Sequence, residues 1–100
     1  MIIMRKRAKK KAEKRHMHKE IYSLDMAFAQ YVVPRLILFK ERHCDHPSDL
    51  TNDEWDNVLD KMIIGFRLIS KDTLTYTDKE NKDIETGLDL FRKYYHDLWC

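Results

Sequence analysis

The chain has 100 residues, 43% of them hydrophobic and 36% charged, with a formal net charge of +2. That length fits one domain, and the apolar share excludes a disordered polyelectrolyte. Two glycines and two prolines are too few turn formers for a many-stranded sandwich or barrel.

Charge is placed unevenly along the chain. Residues 1–20 hold nine Lys or Arg against two Asp or Glu, a net +7, whereas residues 21–100 hold ten against fifteen, a net −5. A basic N-terminal arm (1–20) therefore precedes an acidic body (21–100), which is the expected folded domain. Within the arm, Arg5, Lys6, Arg7, Lys9, Lys10, Lys11, Lys14 and Arg15 form a cationic run with no aromatic between the charges. Self-repulsion favours a flexible or loosely helical segment. Counterion release would give such a run sequence-independent affinity for nucleic acid, but it offers nothing on which bases could stack. Its plainer role is a solvated tail, which includes His16 and His18.

The longest apolar stretch, Tyr31–Phe39, is broken by Arg35 and falls well short of the roughly 18 residues that a membrane span requires. Ile2, Ile3 and Met4 precede the basic run rather than follow it, so no secretory core is expected. The chain is expected to stay in the cytoplasm of the cell that makes it, without membrane contact. In that reducing compartment Cys44 and Cys100 are expected as thiols or metal ligands rather than a disulfide, and in an exported chain the pair could bridge.

Three helices follow from apolar spacing. Leu24, Phe28, Val32, Leu36 and Phe39 step at helical intervals from Ile21 to about Arg42, in phase on both sides of Pro34. The first helix is therefore expected to be kinked at Pro34 rather than ended there. Residues 43–49 form a loop. Thr51 and Glu54 then make a capping box, flanked by Leu50 and Trp55 at the hydrophobic-staple positions. Val58, Leu59, Met62, Phe66 and Ile69 continue that second helix. A polar connector spans 71–76, extended at most briefly near Leu74–Tyr76, and Thr77 with Glu80 opens the third helix by the same device. Its stripe is Ile84, Leu88, Phe91, Tyr95 and Leu98, widened by Tyr94 and Trp99. The predicted fold is all-α: a compact antiparallel three-helix bundle carrying a basic N-terminal arm.

No catalytic motif is present. Gly65 and Gly87 stand singly inside helical patterns, and Ser23, Ser48 and Ser70 lack the context of an activated nucleophile. Asp53, Glu54 and Asp56 suit the first turn of a helix, where they favour the positive end of its dipole. The chain is read as a non-enzyme.

One constellation does suggest chemistry. In an up-down-up bundle the first and third helices are parallel, so their C-terminal ends meet at one pole. That brings Cys44 and His46 of the loop near His96 and Cys100, with His43 as a substitute for His46. Two Cys and two His are the ligand set of a closed structural zinc site. The four-residue spacing puts His96 and Cys100 on one helical face, about 100–160° from the apolar stripe.

The stretch Leu36–Cys100, with the preceding Pro34, also carries recognisable motifs. The chain reads Pro34-Arg35-Leu36-Ile37-Leu38-Phe39-Lys40, then His46-Pro47-Ser48-Asp49-Leu50-Thr51-Asn52-Asp53-Glu54-Trp55 and Asp60-Lys61-Met62-Ile63-Ile64-Gly65-Phe66. It closes with Gly87-Leu88-Asp89-Leu90-Phe91-Arg92-Lys93-Tyr94-Tyr95-His96-Asp97-Leu98-Trp99. This resembles a group of small proteins of bacteriophages that infect Gram-positive bacteria. Their pattern joins P-x-L-x-x-F-[KR], Y-P-x-x-L-T-x-E-E-W and L-F-x-K-Y-[FY]-x-x-L-W. His46 stands where that pattern has an aromatic, and the cationic arm lies outside it.

The resemblance implies a phage origin, a helical body and action in the host cytoplasm. By analogy with small phage inhibitors of CRISPR nucleases, some of which carry metal, it suggests an anti-CRISPR protein that binds a host defence nuclease and blocks nucleic-acid loading. Asp53, Asp56, Asp60, Asp83, Glu85 and Asp89 are the candidate partner contacts, since an acidic body complements a basic nucleic-acid channel. The alternatives are a nucleic-acid-binding accessory protein using the arm, and a structural or assembly adaptor. Either a monomer or a small homo-oligomer is compatible with these readings.

Overall fold

A computed structural model describes residues 17–71 and 73–100. Helical backbone at residues 17–20 leads into a 3-10 turn, Ile21–Ser23, and three α-helices follow. They are α1 (Leu24–Glu41), α2 (Asn52–Ile69) and α3 (Asp78–Tyr94), and a second 3-10 turn spans Tyr95–Asp97. No strand occurs among the described residues, so the fold is the expected all-α three-helix bundle.

Local chemistry fixes where two of the helices begin. Thr51 accepts from the Glu54 backbone N–H at 3.2 Å, while the Glu54 carboxylate accepts from the Thr51 N–H at 2.9 Å. Thr77 and Glu80 repeat the exchange at 3.1 and 2.9 Å. Each box satisfies two amide donors that a helix start leaves without partners. Ser23, before α1, makes no such side-chain bond. The helix α1 runs through Pro34, which is exposed. It ends with Arg42 donating to Leu38 O and His43 donating to Lys40 O. His43 then turns the chain at φ 52°, in the left-handed region that glycine usually occupies after a helix.

The middle helix is the core element. Trp55, Leu59, Met62, Ile63, Gly65 and Phe66 of α2 are buried, against Ala29 and Leu36 of α1 and Gly87 and Tyr94 of α3. Edge-on aromatic pairs tie the layers together: Phe39 to Trp55 at 6.5 Å, Trp55 to Tyr94 at 5.6 Å and Phe66 to Phe91 at 4.9 Å. On the other flank of α2, Lys40 Nζ and Asp60 Oδ1 pair at 2.7 Å.

Two stripes are rotated from their expected positions. On α1, Leu24 is exposed, Phe28 is half-exposed but packs edge-on against Phe66 and Phe91, and burial centres on Ala29 and Leu36 with Val32, Val33, Ile37 and Phe39 beside them. On α3, Leu88 and Tyr95 are exposed while Gly87, Leu90 and Tyr94 face inward. The cause on α3 is a glycine crossing. A Cβ built on Gly87 would lie 2.9 Å from Lys61 O and 3.1 Å from the Cα of Gly65. Both glycines are needed for the two backbones to approach this closely.

Candidate functional site

The parallel course of α1 and α3 brings the loop after α1 to the end of the chain, as up-down-up topology requires. Cys44 and Cys100 have Cα atoms 5.2 Å apart and are joined by a disulfide. That separation lies within the span such a bond bridges, roughly 4.4–6.8 Å. Tyr94 supports the same pole: its buried ring packs on Trp55 and its hydroxyl donates to Asp49 Oδ2 at 3.4 Å. The loop is thus held to α3 by a hydrogen bond and to the segment after it by a covalent bond.

The two sulfurs are bonded to each other in this structure, where the reading of a reducing compartment expected free thiols. The geometry of the expected ligand set also changes. The helix α3 stops at Tyr94, and the 3-10 turn gives way at Leu98 to non-helical backbone (φ −86°, ψ 63°). His96 and Cys100 consequently do not share a helical face, and Cys100 swings back towards the loop.

The histidines go separate ways. His96 packs edge-on against Tyr95, 5.6 Å between ring centroids. His46 Nδ1 lies 2.9 Å from Pro47 O, and since a carbonyl can only accept, this nitrogen is the donor. His46 lines a cleft of about 90 Å³ with Asp45, Asp97, Trp99 and Cys100, whereas His43 lies on the α1–α2 flank beside Lys40 and Asp60. Among the described residues no group of three or more His, Cys, Asp or Glu is arranged to hold a metal ion.

The six candidate acids are divided. Asp60 is committed to Lys40, whose ammonium is held above its ordinary pKa by that hydrogen bond and the nearby Asp60 and Asp56 charges, against a smaller opposing effect of burial. Asp53, Glu85 and Asp89 are exposed, while Asp56 and Asp83 are half-buried. The Lys40–Asp60 contact is the only ion pair among the described residues. Arg5, Lys6, Arg7, Lys9, Lys10, Lys11, Lys14 and Arg15 of the candidate nucleic-acid arm lie outside those residues.

Sequence reasoning missed the glycine crossing, which apolar periodicity cannot register because the contact is made by missing side chains. Its available signal was the placement of Gly65 and Gly87 at facing positions of two antiparallel helices. Among the described residues, no helix is long and apolar enough to cross a membrane. Comparison with family models, curated proteins and solved structures finds no match to this chain.

Proposed function

We propose that this chain acts by stoichiometric binding, as a phage-encoded, non-enzymatic inhibitor of a host defence protein. An RNA-guided nuclease is the target class, with the acidic body blocking nucleic-acid loading in the host cytoplasm. The observation that carries this reading is uncommitted negative charge on rigid helices. Asp53 on α2 and Glu85 and Asp89 on α3 are exposed and make no ion pair among the described residues. Carboxylates fixed on helices lose little freedom when a basic channel meets them, and complementary charge speeds encounter. The phage assignment rests on the resemblance of Leu36–Cys100 described above.

The test is capture of a purified RNA-guided nuclease by the full chain, by the chain lacking residues 1–18, and by a Glu85→Lys/Asp89→Lys variant. The expected result is a stable complex that survives removal of the arm and weakens at least about tenfold on charge reversal. Recovery of nucleic acid alone, lost with the arm, overturns inhibition. It would favour the second reading, an accessory nucleic-acid binder, which rests on the nine Lys or Arg of residues 1–20. In either reading a structural zinc belongs only to a reduced chain, since the bridged sulfurs cannot ligate it.

A further inference from the structure

The segment after α3 is held unevenly. Among the described residues, no hydrogen bond or ion pair ties residues 95–100 to the loop or to another helix, so their link to the loop is the Cys44–Cys100 bond. Leu98 is half-buried against the core, whereas Tyr95 and Trp99 are 57% and 72% exposed. The loop has anchors of its own: Pro47 is buried, Leu50 donates to Pro47 O, and Asp49 accepts from Tyr94. Opening the bond would loosen residues 43–46 and 95–100 and leave the capped helices and their core in place.

The two sulfurs differ in access. Cys100 is exposed and lines the open cleft of about 90 Å³ with Asp45, His46 and Asp97. Cys44 is half-buried and lines a far smaller cavity, of about 20 Å³, with Phe39, Trp55 and Leu59. Its Sγ lies 4.0 Å from Phe39 O, an acceptor for a thiol proton. The rate of thiol–disulfide exchange depends on which sulfur an incoming thiolate can reach, and exposed bridges open more readily than buried ones.

We propose that Cys44–Cys100 is a reversible thiol–disulfide switch, which a dithiol reductant opens by attack at Cys100. In the first step the reductant's thiolate bonds to Cys100 Sγ and the Cys44–Cys100 bond breaks. Its electron pair leaves on Cys44 Sγ, which takes up a proton. In the second step the reductant's other thiol, deprotonated, attacks the reductant sulfur of the mixed disulfide and releases Cys100, which is protonated from solvent. Two electrons pass to the chain, the reductant becomes a disulfide, and the reverse sequence closes the bridge. Cys44 and Cys100 are the chain's two cysteines, so reclosure meets no competing thiol within it. Asp45 and Asp97 put negative charge on the approach to Cys100, which favours a neutral or cationic thiol over an anionic one. Thiol-rich surroundings populate the open form and oxidising ones the closed form.

The switch uses neither the exposed acids of α2 and α3 nor residues 1–18, so its failure is separable from failure of the inhibitor reading. The test takes the full chain through reduction by a small dithiol and follows mass, helical signal and amide exchange. Reduction should yield two alkylatable thiols and keep the helical signal. Exchange should rise by a larger factor in residues 43–46 and 95–100 than in α1, α2 or α3, and a small disulfide oxidant should restore the bridge. A mass-tagged monothiol, trapped by acid at the mixed disulfide, should be found at least about tenfold more often on Cys100 than on Cys44. For equal thiolate concentration at low salt, a cationic monothiol should react at least about tenfold faster than an anionic one, and an Asp45→Asn/Asp97→Asn variant should lose most of that ratio. Loss of the helical signal on reduction, or tagging that favours Cys44, overturns the proposal.

Discussion

The helices α1 and α2 are both 18 residues long and rich in aliphatic and aromatic side chains, yet α2 buries six residues and α1 two. The difference lies in arrangement. Polar residues of α2 gather on one side, so a single stripe faces two neighbours. The apolar residues of α1 run nearly all round, with α2 covering one arc and solvent the opposite one. The start of α2 has a capping box, whereas α1 has no side-chain cap. Apolar content alone therefore does not locate a core: the phase of the polar residues does.

Breaking the Cys44–Cys100 bond should separate the two helices most strongly, because Cys44 lies three residues beyond α1 while α2 holds the centre. For a sequence separation of 56, Cys100→Ser is expected to cost about 4 kcal/mol in denaturant unfolding under oxidising conditions. Amide exchange in α1 should accelerate more than in α2. The bridged chain is expected to carry no zinc by elemental analysis, so metal bound only after reduction would identify the thiols as the ligands that the disulfide withdraws.

Leucine truncation sharpens the contrast directly. Leu59→Ala in α2, at a residue 1% exposed, is expected to cost about 3 kcal/mol. Leu38→Ala in α1, at a residue 55% exposed, should change the stability of the dilute protein by less than about 0.5 kcal/mol. Equal losses at the two positions would show that α1 is covered in the folded monomer. Between these extremes, Gly87→Ala should cost about 2 kcal/mol, because the added methyl meets the backbone of α2 rather than a movable side chain.

The smallest effect concerns pH. The hydrogen bonds from Thr77, the backbone one first, hold the Glu80 carboxyl below its ordinary pKa. A depressed carboxylate stabilises the fold above its unfolded pKa, about 4.3, and that contribution is lost as pH falls through the lower folded value. Acid titration of stability should therefore flatten in Glu80→Gln. The start of α1 has no capping box and should add no such dependence.

What the sequence revealed was chiefly local or topological. Both capping boxes were legible because a cap needs only residues three apart, and the meeting of Cys44 with Cys100 followed from counting two helix reversals. The phases of α1 and α3 were not legible in the same way. Periodicity ranks side chains by apolarity, so it chose Leu88 and Tyr95 over Gly87, although Gly87 is where α3 crosses the backbone of α2. It also chose Leu24, which is exposed at the start of α1, and passed over the fully buried Ala29. The His96–Cys100 pairing failed because a four-residue spacing presumes helix, and Tyr94 is the last α-helical residue.

The disulfide also divides the chain into a closed covalent ring, residues 44–100, and a strand that enters it from outside. All of α1 lies on that entering strand. A machine that grips the N-terminus and pulls would peel α1 away and then reach Cys44, where further traction drags two polypeptide segments at once. Threading through a narrow pore would stall there until a reductant cut the ring, giving degradation from this end a redox-gated stopping point.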